Sequence, residues 1–387
     1  MPRRRSRGKL ACGREGTVLS RRSFGRSLAG SLAALPALSE AVLAQRQLIG
    51  PPPPGDTVWL NANENPQGPG EAALEAMRQV LPDSGRYHFE EFRPLHAAVA
   101  ASVGLDAEQV LVGAGSSEIL HAAIDAFTSP ERPLITLHPS YELPFMVAGA
   151  LGRRVIRVPL ADHHGASVKS MVEEAARAGG GLLYVCNPNN PTGALTPSLE
   201  IDWMIENLPA NTFALIDEAY IHFADDPGQN ALEHVKKSRN VIVTRTFSKI
   251  YGMAGLRIGF GCARGEFIRR MEPFRDTVVS IVGARAALAA LREGPRFLEQ
   301  RRAVFTKIRA DLCAWLKAKN VAHIESQANF VMIDIGRDPR EFGLAMLKKG
   351  VVVGRPFPPL NRMLRVSLGT EQDMARFREA FWEVYKA

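Results

Sequence analysis

Long apolar runs are what this sequence of 387 residues most plainly lacks. No stretch approaches the ~18–20 apolar residues of a membrane span, so stable membrane insertion is not expected. Cysteine is scarce as well. Cys12, Cys186, Cys262 and Cys313 show neither a pairing pattern nor metal-ligand spacing, so no metal site is expected. Cys186 and Cys262 sit in apolar runs and read as small core residues. A general surplus of charge is missing too, despite a formal +8. Residues 1–44 hold nine Lys/Arg against two acids, a surplus of +7 that leaves +1 for everything after them. The basic balance belongs to that leader and gives no reason to expect nucleic acid as a partner. No internal repeat is evident at periods of about 20–50 residues, which sets solenoid architectures aside.

What is present suits a soluble globular enzyme. Hydrophobic content is 46% and charged content 23%, and the length allows more than one lobe. Residues 1–44 have a logic of their own. Ser20-Arg21-Arg22-Ser23-Phe24 precedes a modestly apolar segment from Ser27 to Ala44, and Val42-Leu43-Ala44 offers a cleavage site after Ala44. The segment resembles a twin-arginine export signal. It departs at Gly25 and Arg26, where Leu and Lys are more usual, and at Glu40, which interrupts the apolar run. The resemblance implies a periplasmic or exported protein if the leader is used, and a cytoplasmic one otherwise. Residues 45–58, with Gly50-Pro51-Pro52-Pro53-Pro54-Gly55, read as a stiff linker.

Beyond the linker, Glu71 to Leu81 is helical by periodicity and stops at Pro82, and a second helix is expected from Phe92 to Val103. Short apolar runs then alternate with helical stretches. Strands are expected near Gln109–Val112, Pro133–Leu137, Arg154–Val158, Leu182–Cys186, Thr212–Ile216, Val241–Thr244 and Arg257–Gly261. This alternation predicts a largely parallel α/β sheet, with ligands beyond the carboxyl ends of its strands. After about Phe274 a long helical region (Gly283 to Lys319) leads to strands at Asn329–Ile335 and Leu364–Leu368, as in a second, smaller lobe.

The residues with chemistry to offer fall at the expected strand ends. Val241-Ile242-Val243 is followed by Thr246-Phe247-Ser248-Lys249, with Arg257 eight residues after the lysine. A lysine just past a buried strand can be desolvated, which favours the neutral amine able to form a Schiff base. Neighbouring hydroxyls and an arginine suit a phosphate monoester. The combination points to an aldehyde cofactor carrying a phosphate, pyridoxal phosphate. Gly113-Ala114-Gly115-Ser116-Ser117-Glu118 joins a strand to a helix start, where free N–H groups can meet an anion. Tyr141 could stack on a planar ring. Asn187-Pro188-Asn189-Asn190-Pro191-Thr192-Gly193 forms a rigid turn in which Asn190 can hold a ring hydroxyl. Asp217, ending Leu215-Ile216, needs a cationic partner if ionised at that depth, and a protonated pyridine nitrogen would supply one. Tyr220 can reach the same ring's oxygen. Arg355 and Arg365 lie in apolar surroundings that call for an anionic partner, such as a substrate carboxylate or phosphate. Each has a plain structural alternative: serine caps, a core aromatic, an Asp-Glu helix cap.

Taken together, these residues resemble fold-type I pyridoxal phosphate aminotransferases of class I/II, most closely the histidinol-phosphate aminotransferase group. The carriers are Leu60-Asn61-Ala62-Asn63-Glu64-Asn65-Pro66, Asn187–Gly193, Asp217–Tyr220, the Lys249/Arg257 block and Leu364–Thr370, in the family's order. From Asn190 to Asp217 is 27 residues, and 32 more reach Lys249. The resemblance implies a large domain (93–275) with a mostly parallel seven-stranded sheet. It also implies a smaller α+β domain (276–387), joined by the segment 59–92. It makes Lys249 the Schiff-base lysine and proton shuttle, Asp217 the ring-nitrogen partner, and Asn190 and Tyr220 the holders of the ring oxygen. Tyr141 would stack on the ring, and Gly115, Ser116, Ser117, Thr246, Ser248 and Arg257 would grip the phosphate. Tyr87 would reach the cofactor of a neighbouring subunit, implying a homodimer with shared sites. Arg365, helped by Arg355 and Asn63, would bind the substrate's acidic group. The implied reaction moves an amino group from an amino acid or amino-alcohol phosphate to a 2-oxo acid such as 2-oxoglutarate. A pyridoxal phosphate decarboxylase or oxidase on the same fold stays open, as does a non-catalytic binding protein. Export would separate the protein from cytoplasmic histidine synthesis, which counts against histidinol phosphate as the physiological donor.

Overall fold

The computed structural model describes residues 55–275 and 278–387. The export-like leader (1–44) and linker residues 45–54 lie outside the described residues. The chain enters through strand β1 (Val58–Leu60). The seven expected apolar runs then form β2 (Val110–Gly113), β3 (Leu134–His138), β4 (Val155–Pro159), β5 (Gly181–Cys186), β6 (Thr212–Asp217), β7 (Val241–Thr246) and β8 (Gly259–Ala263). They make one sheet in the order β2-β8-β7-β6-β5-β3-β4. Every residue of β5 and β7 is buried, as expected of strands covered on both faces by helices. The joins β4–β3, β3–β5, β5–β6 and β6–β7 are parallel, whereas β8 runs antiparallel to both β2 and β7. Six strands therefore point one way and β8 alone points back.

Each strand lies within one or two residues of its expected place. The shift that matters is at β8, which begins at Gly259 and not at Arg257. Arg257 instead follows a 3₁₀ turn (Ala254–Leu256) in the left-handed region, with φ 52°, a conformation incompatible with a strand.

The remaining strands are β9 (Phe330–Asp334), β10 (Val351–Val353) and β11 (Met363–Ser367). β9 and β11 pair antiparallel, near the runs expected from sequence. β1 pairs parallel with β10, tying the start of the described chain to its last quarter. Neither of these two was expected, because three residues are too few to show alternation. The helical region expected over Gly283–Lys319 is two helices, Ile281–Arg292 and Pro295–Ala318. Gly294, at φ 72°, breaks them apart, and Pro295 starts the second where no N–H is needed. The first buries Gly283, Ala284, Ala286, Ala287 and Ala290 against helices Glu71–Val80 and Phe92–Val103, and small side chains permit that close packing.

Among the described residues no helix is long and apolar enough to cross a membrane, and no cluster of His, Cys, Asp or Glu could hold a metal. The three described cysteines are unbridged.

Candidate active site

The topology delivers the expected residues to one edge of the sheet. β2, β3, β5, β6 and β7 end there, and β8 begins there because it runs the other way. Gly259 stands opposite both Gly113 and Thr246 in the ladder. A cavity of about 460 Å³ at this edge is lined by Ser116, Ser117, Tyr141, Asp217, Tyr220, Thr246, Ser248, Lys249 and Arg257, together with Cys186. Cys186 is 1% exposed, so it is the small core residue expected and also part of the cavity floor.

One part of the cavity is built to receive an anion. Helix Ser116–Phe127 starts at the edge, and its cap residue Gly115 has φ 80°, which only glycine adopts at little cost. Gly259 lets the two segments meet: a Cβ there would lie 2.3 Å from Ser116 N and 2.7 Å from Gly115 C. Arg257 donates Nη1 to Ser248 Oγ (3.3 Å) and to Ala254 O (2.9 Å), and Ser248 N–H donates to Thr246 Oγ1 (3.0 Å). Helix N–H groups, two hydroxyls and a guanidinium thus converge, the donor set of a phosphate monoester.

Lys249 is half-buried. Its Nζ donates to Asn63 O (3.0 Å) and Ala62 O (3.3 Å) and lies over the Tyr220 ring at 5.6 Å. Asn63, fully buried with φ 53°, presents that carbonyl because its side chain is fixed elsewhere. Its Nδ2 donates to Tyr220 Oη (3.1 Å), and its Oδ1 accepts from Ser367 Oγ (3.0 Å).

Asp217 is 2% exposed. Its carboxylate accepts from Thr244 Oγ1 (2.8 Å) and Tyr184 Oη (3.2 Å). Burial raises its pKa from 3.8 to about 6 against those hydrogen bonds, with the negative Glu218 alongside. Glu218 itself turns away: Arg245 donates to its Oε2 through Nη2 (2.7 Å) and Nε (2.9 Å). The partners named for Asp217 are neutral donors, so a cation in the cavity would lower this cost.

In the Asn-rich turn the three asparagines divide the work. Asn187 and Asn189 hold the turn through Thr196, Ser140, Pro139 and Thr192. Asn190 alone serves the site, donating Nδ2 to Tyr220 Oη (3.4 Å) and accepting from Arg365 Nη1 (2.7 Å). Arg365 is fully buried and also donates Nη2 to Asn61 O (2.8 Å), one hydrogen-bonded residue behind the cavity wall.

Two expected residues stand apart. Tyr87 is 67% exposed, stacked on Phe89 at 5.4 Å and outside the cavity. Arg355 pairs with Glu142 rather than facing the cavity. Several contributors went unread in the sequence: Tyr184 and Thr244 beneath Asp217, the carbonyls of Ala62 and Asn63 at Lys249, and Ser367 on Asn63. Thr244 carried a signal, since two residues before Thr246 it shares that strand's face.

The sheet and this site define a class: the chain belongs to the family described as Aminotransferase class I and II, whose pattern matches residues 55–381. It is a pyridoxal phosphate-dependent aminotransferase with the fold-type I architecture. More particularly, it is 36% identical over 329 residues to a histidinol-phosphate aminotransferase of Symbiobacterium thermophilum, covering 84% of this chain and 90% of that one. It is 31% identical to that of Moorella thermoacetica, covering 96% of this chain and 99% of the relative. Among solved structures, histidinol-phosphate aminotransferase from Sinorhizobium meliloti in complex with pyridoxal-5'-phosphate superposes with a TM-score of 0.81. It has 27% identity and covers 92% of this chain and 96% of that one.

The residues present fit the cofactor. Gly259 lets the helix start at Ser116 pack beside Thr246 and Arg257, a donor set that would suit a phosphate, and a ring cation would offset the cost of the buried Asp217 carboxylate. Gly259→Ala is therefore expected to weaken cofactor affinity by about tenfold or more, because its Cβ meets backbone that cannot yield. Titrating cofactor-free protein with pyridoxal phosphate checks this; an unchanged Kd would mean the helix start does not grip the phosphate.

Proposed function

We propose that this enzyme takes amino donors with an anionic tail, histidinol phosphate first among those to test, and passes the amino group to a 2-oxo acid such as 2-oxoglutarate. The observation that carries the reading is one cavity lined by both Lys249 and Asp217, with Lys249 Nζ held by two backbone carbonyls. When bound, the cofactor supplies a carbonyl carbon for the amino group and a ring that accepts the electron pair left by deprotonation. The chain supplies the rest. Lys249 Nζ takes the proton from the substrate carbon and returns it nearby, and the Ala62 and Asn63 carbonyls hold the amine between these acts. Asp217 would pair its negative charge with the ring nitrogen. Asn190 and Tyr220 would hold the ring oxygen, Tyr141 would pack on the ring, and Gly115, Ser116, Ser117, Thr246, Ser248 and Arg257 would hold the phosphate. Arg365, backed by Arg355 and Asn63, orients the donor's anionic end. In this reading residues 93–275 form the cofactor lobe, and 59–92 with 276–387 the smaller one.

The test is the visible spectrum of cofactor-loaded residues 45–387 before and after histidinol phosphate. Loss of the lysine-linked absorbance, restored by 2-oxoglutarate, supports the reading. A release of carbon dioxide or consumption of oxygen without the amine form of the cofactor would replace it with decarboxylation or oxidation.

Two further parts of the proposal have their own checks. Exposed Tyr87 supports a homodimer in which it completes the partner's site. Sedimentation should show two copies, and a monomer with full activity would remove the idea. The Ser20–Phe24 pair of arginines supports export, and N-terminal sequencing of secreted protein should begin at Gln45; retention of an intact leader in the cytoplasm would refute it.

A further inference from the structure

A second cavity, of about 430 Å³, backs onto the strands that carry the catalytic one. The ladder between β7 and β8 sets the arrangement. Thr246 stands opposite Gly259 and lines the catalytic cavity. The next pair along, Arg245 opposite Phe260, points to the other face of the sheet and lines the second cavity. The two cavities have no lining residue in common. His222, two residues past Tyr220, and Tyr251, two past Lys249, also line the second one. The break between helices Ile281–Arg292 and Pro295–Ala318 adds Leu291, Gly294 and Leu298 to its wall.

Three groups in this wall have hydrogen-bonding capacity left over. Tyr251 is 7% exposed, with its ring packed on Phe247 at 4.8 Å and Phe297 at 6.2 Å. Its hydroxyl has no hydrogen-bond partner among the described residues, and neither has the His222 ring, which meets Tyr251 at 6.0 Å. Arg245 gives Nε and Nη2 to Glu218, which leaves Nη1. The other polar side chains are engaged: Ser102 Oγ donates to Val99 O (2.7 Å), and Asn230 Nδ2 to Pro227 O (2.9 Å). Burial, with Arg245 and Arg302, pushes the His222 imidazole down to about 3, and burial pushes the Tyr251 hydroxyl up to about 12. Both side chains are therefore neutral near pH 7, and each has a proton to donate. Arg245 is the strongest charge acting on either, which places the three groups around one space.

We propose that this cavity is a second binding site, which takes one small aromatic carboxylate. Arg245 Nη1, the Tyr251 hydroxyl and His222 would receive the carboxylate, and Phe260, Leu291 and Leu298 the ring. The inference does not depend on which donor the catalytic cavity accepts.

The donors decide the head group. A carboxylate accepts from the remaining guanidinium edge and from two neutral donors, charge-assisted bonds that offset its desolvation. An ammonium would meet Arg245 and Arg302 instead. The acids nearby do not serve it: Glu218 is held twice by Arg245, and Glu293 turns its Oε2 toward Gly70. The walls decide the body. The volume is at the small end of the range for ligand sites, and Phe260, Tyr251 and His222 offer ring faces and edges to an aromatic partner.

Benzoate is the probe, with benzamide as its neutral isostere. Calorimetry on the holoenzyme at pH 8 is run in saturating succinate, which competes for any carboxylate site in the catalytic cavity. It is expected to show one benzoate per chain with a Kd below about 1 mM, and benzamide about tenfold weaker or more. Leu298→Trp, which fills the cavity, should abolish binding. Tyr251→Phe, which removes one donor and keeps the ring, should weaken it by about tenfold. Cofactor content and melting temperature like the parent's would show that each variant is folded. If Leu298→Trp does not fold, Tyr251→Phe decides. Benzoate displaced by succinate, or bound equally by the folded variants, sits elsewhere and overturns the proposal. Absence of binding overturns it too, as do equal affinities for benzoate and benzamide.

Discussion

Replacing Lys249 with alanine is expected to lower turnover by about four to six orders of magnitude while leaving a folded protein that still binds its cofactor. On the proposed reading the cofactor's phosphate would be held by Gly115, Ser116, Ser117, Thr246, Ser248 and Arg257, none of which needs the lysine. Folding loses two hydrogen bonds, worth about 1–2 kcal/mol in all. Asn63 O still accepts from Asn329 Nδ2 at 3.1 Å, so only Ala62 O gives up its one named partner. The checks are steady-state turnover, cofactor content after dialysis, and the visible spectrum, which should lose the lysine-linked band. Residual activity within about a hundredfold of the parent would mean that another group moves the proton.

Asp217→Asn should separate stability from activity. Turnover is expected to fall by about two to four orders of magnitude, because a neutral amide cannot keep the ring nitrogen protonated. The cofactor-free protein should respond in the opposite sense. Its Asp217 carboxyl has a folded pKa raised from 3.8 to about 6 by burial. Between those values the folded chain holds a proton that the unfolded chain has released, so stability is lost as pH rises from about 4 to 6. Above pH 6 the whole cost is present, up to about 3 kcal/mol for a shift of this size. The Asp217→Asn protein escapes it and should melt higher than the parent at pH 8 and not at pH 4. Thermal denaturation of both cofactor-free proteins at the two pH values decides the matter. A lower melting temperature for the variant at pH 8 would show that hydrogen bonding from Thr244 and Tyr184 outweighs the cost of burying the charge.

The large sheet was legible because its central strands are apolar on both faces, so runs such as Leu182–Cys186 and Val241–Val243 stand out without alternation. The residues at their carboxyl ends were legible for the same reason, since topology places every such end on one edge. What the sequence hid is of three kinds. Backbone groups have no side-chain signature, so the carbonyls of Ala62 and Asn63 could not be matched to Lys249. Partners far apart in sequence left no trace either: Glu142 meets Arg355 across 213 residues. Runs of three residues, Val58–Leu60 and Val351–Val353, show no period. Composition treats the three asparagines of the turn alike, and their hydrogen bonds are what separate Asn190 from Asn187 and Asn189.

The lone reversed strand has a consequence for how the protein acquires its activity. β2 is separated from β7 by β8, and Gly113 reaches Thr246 only with Gly259 between them. The helix that starts at Ser116 is synthesised early, whereas Arg257 and Gly259 arrive more than a hundred residues later. A chain that had assembled β3 to β7 would own its lysine, its aspartate and Thr246, and would still lack Arg257 and the helix start packed against Gly259. Affinity for the cofactor is thus an assay of sheet closure. In refolding, tight retention of pyridoxal phosphate would mark the insertion of β8, a non-local step in building the site.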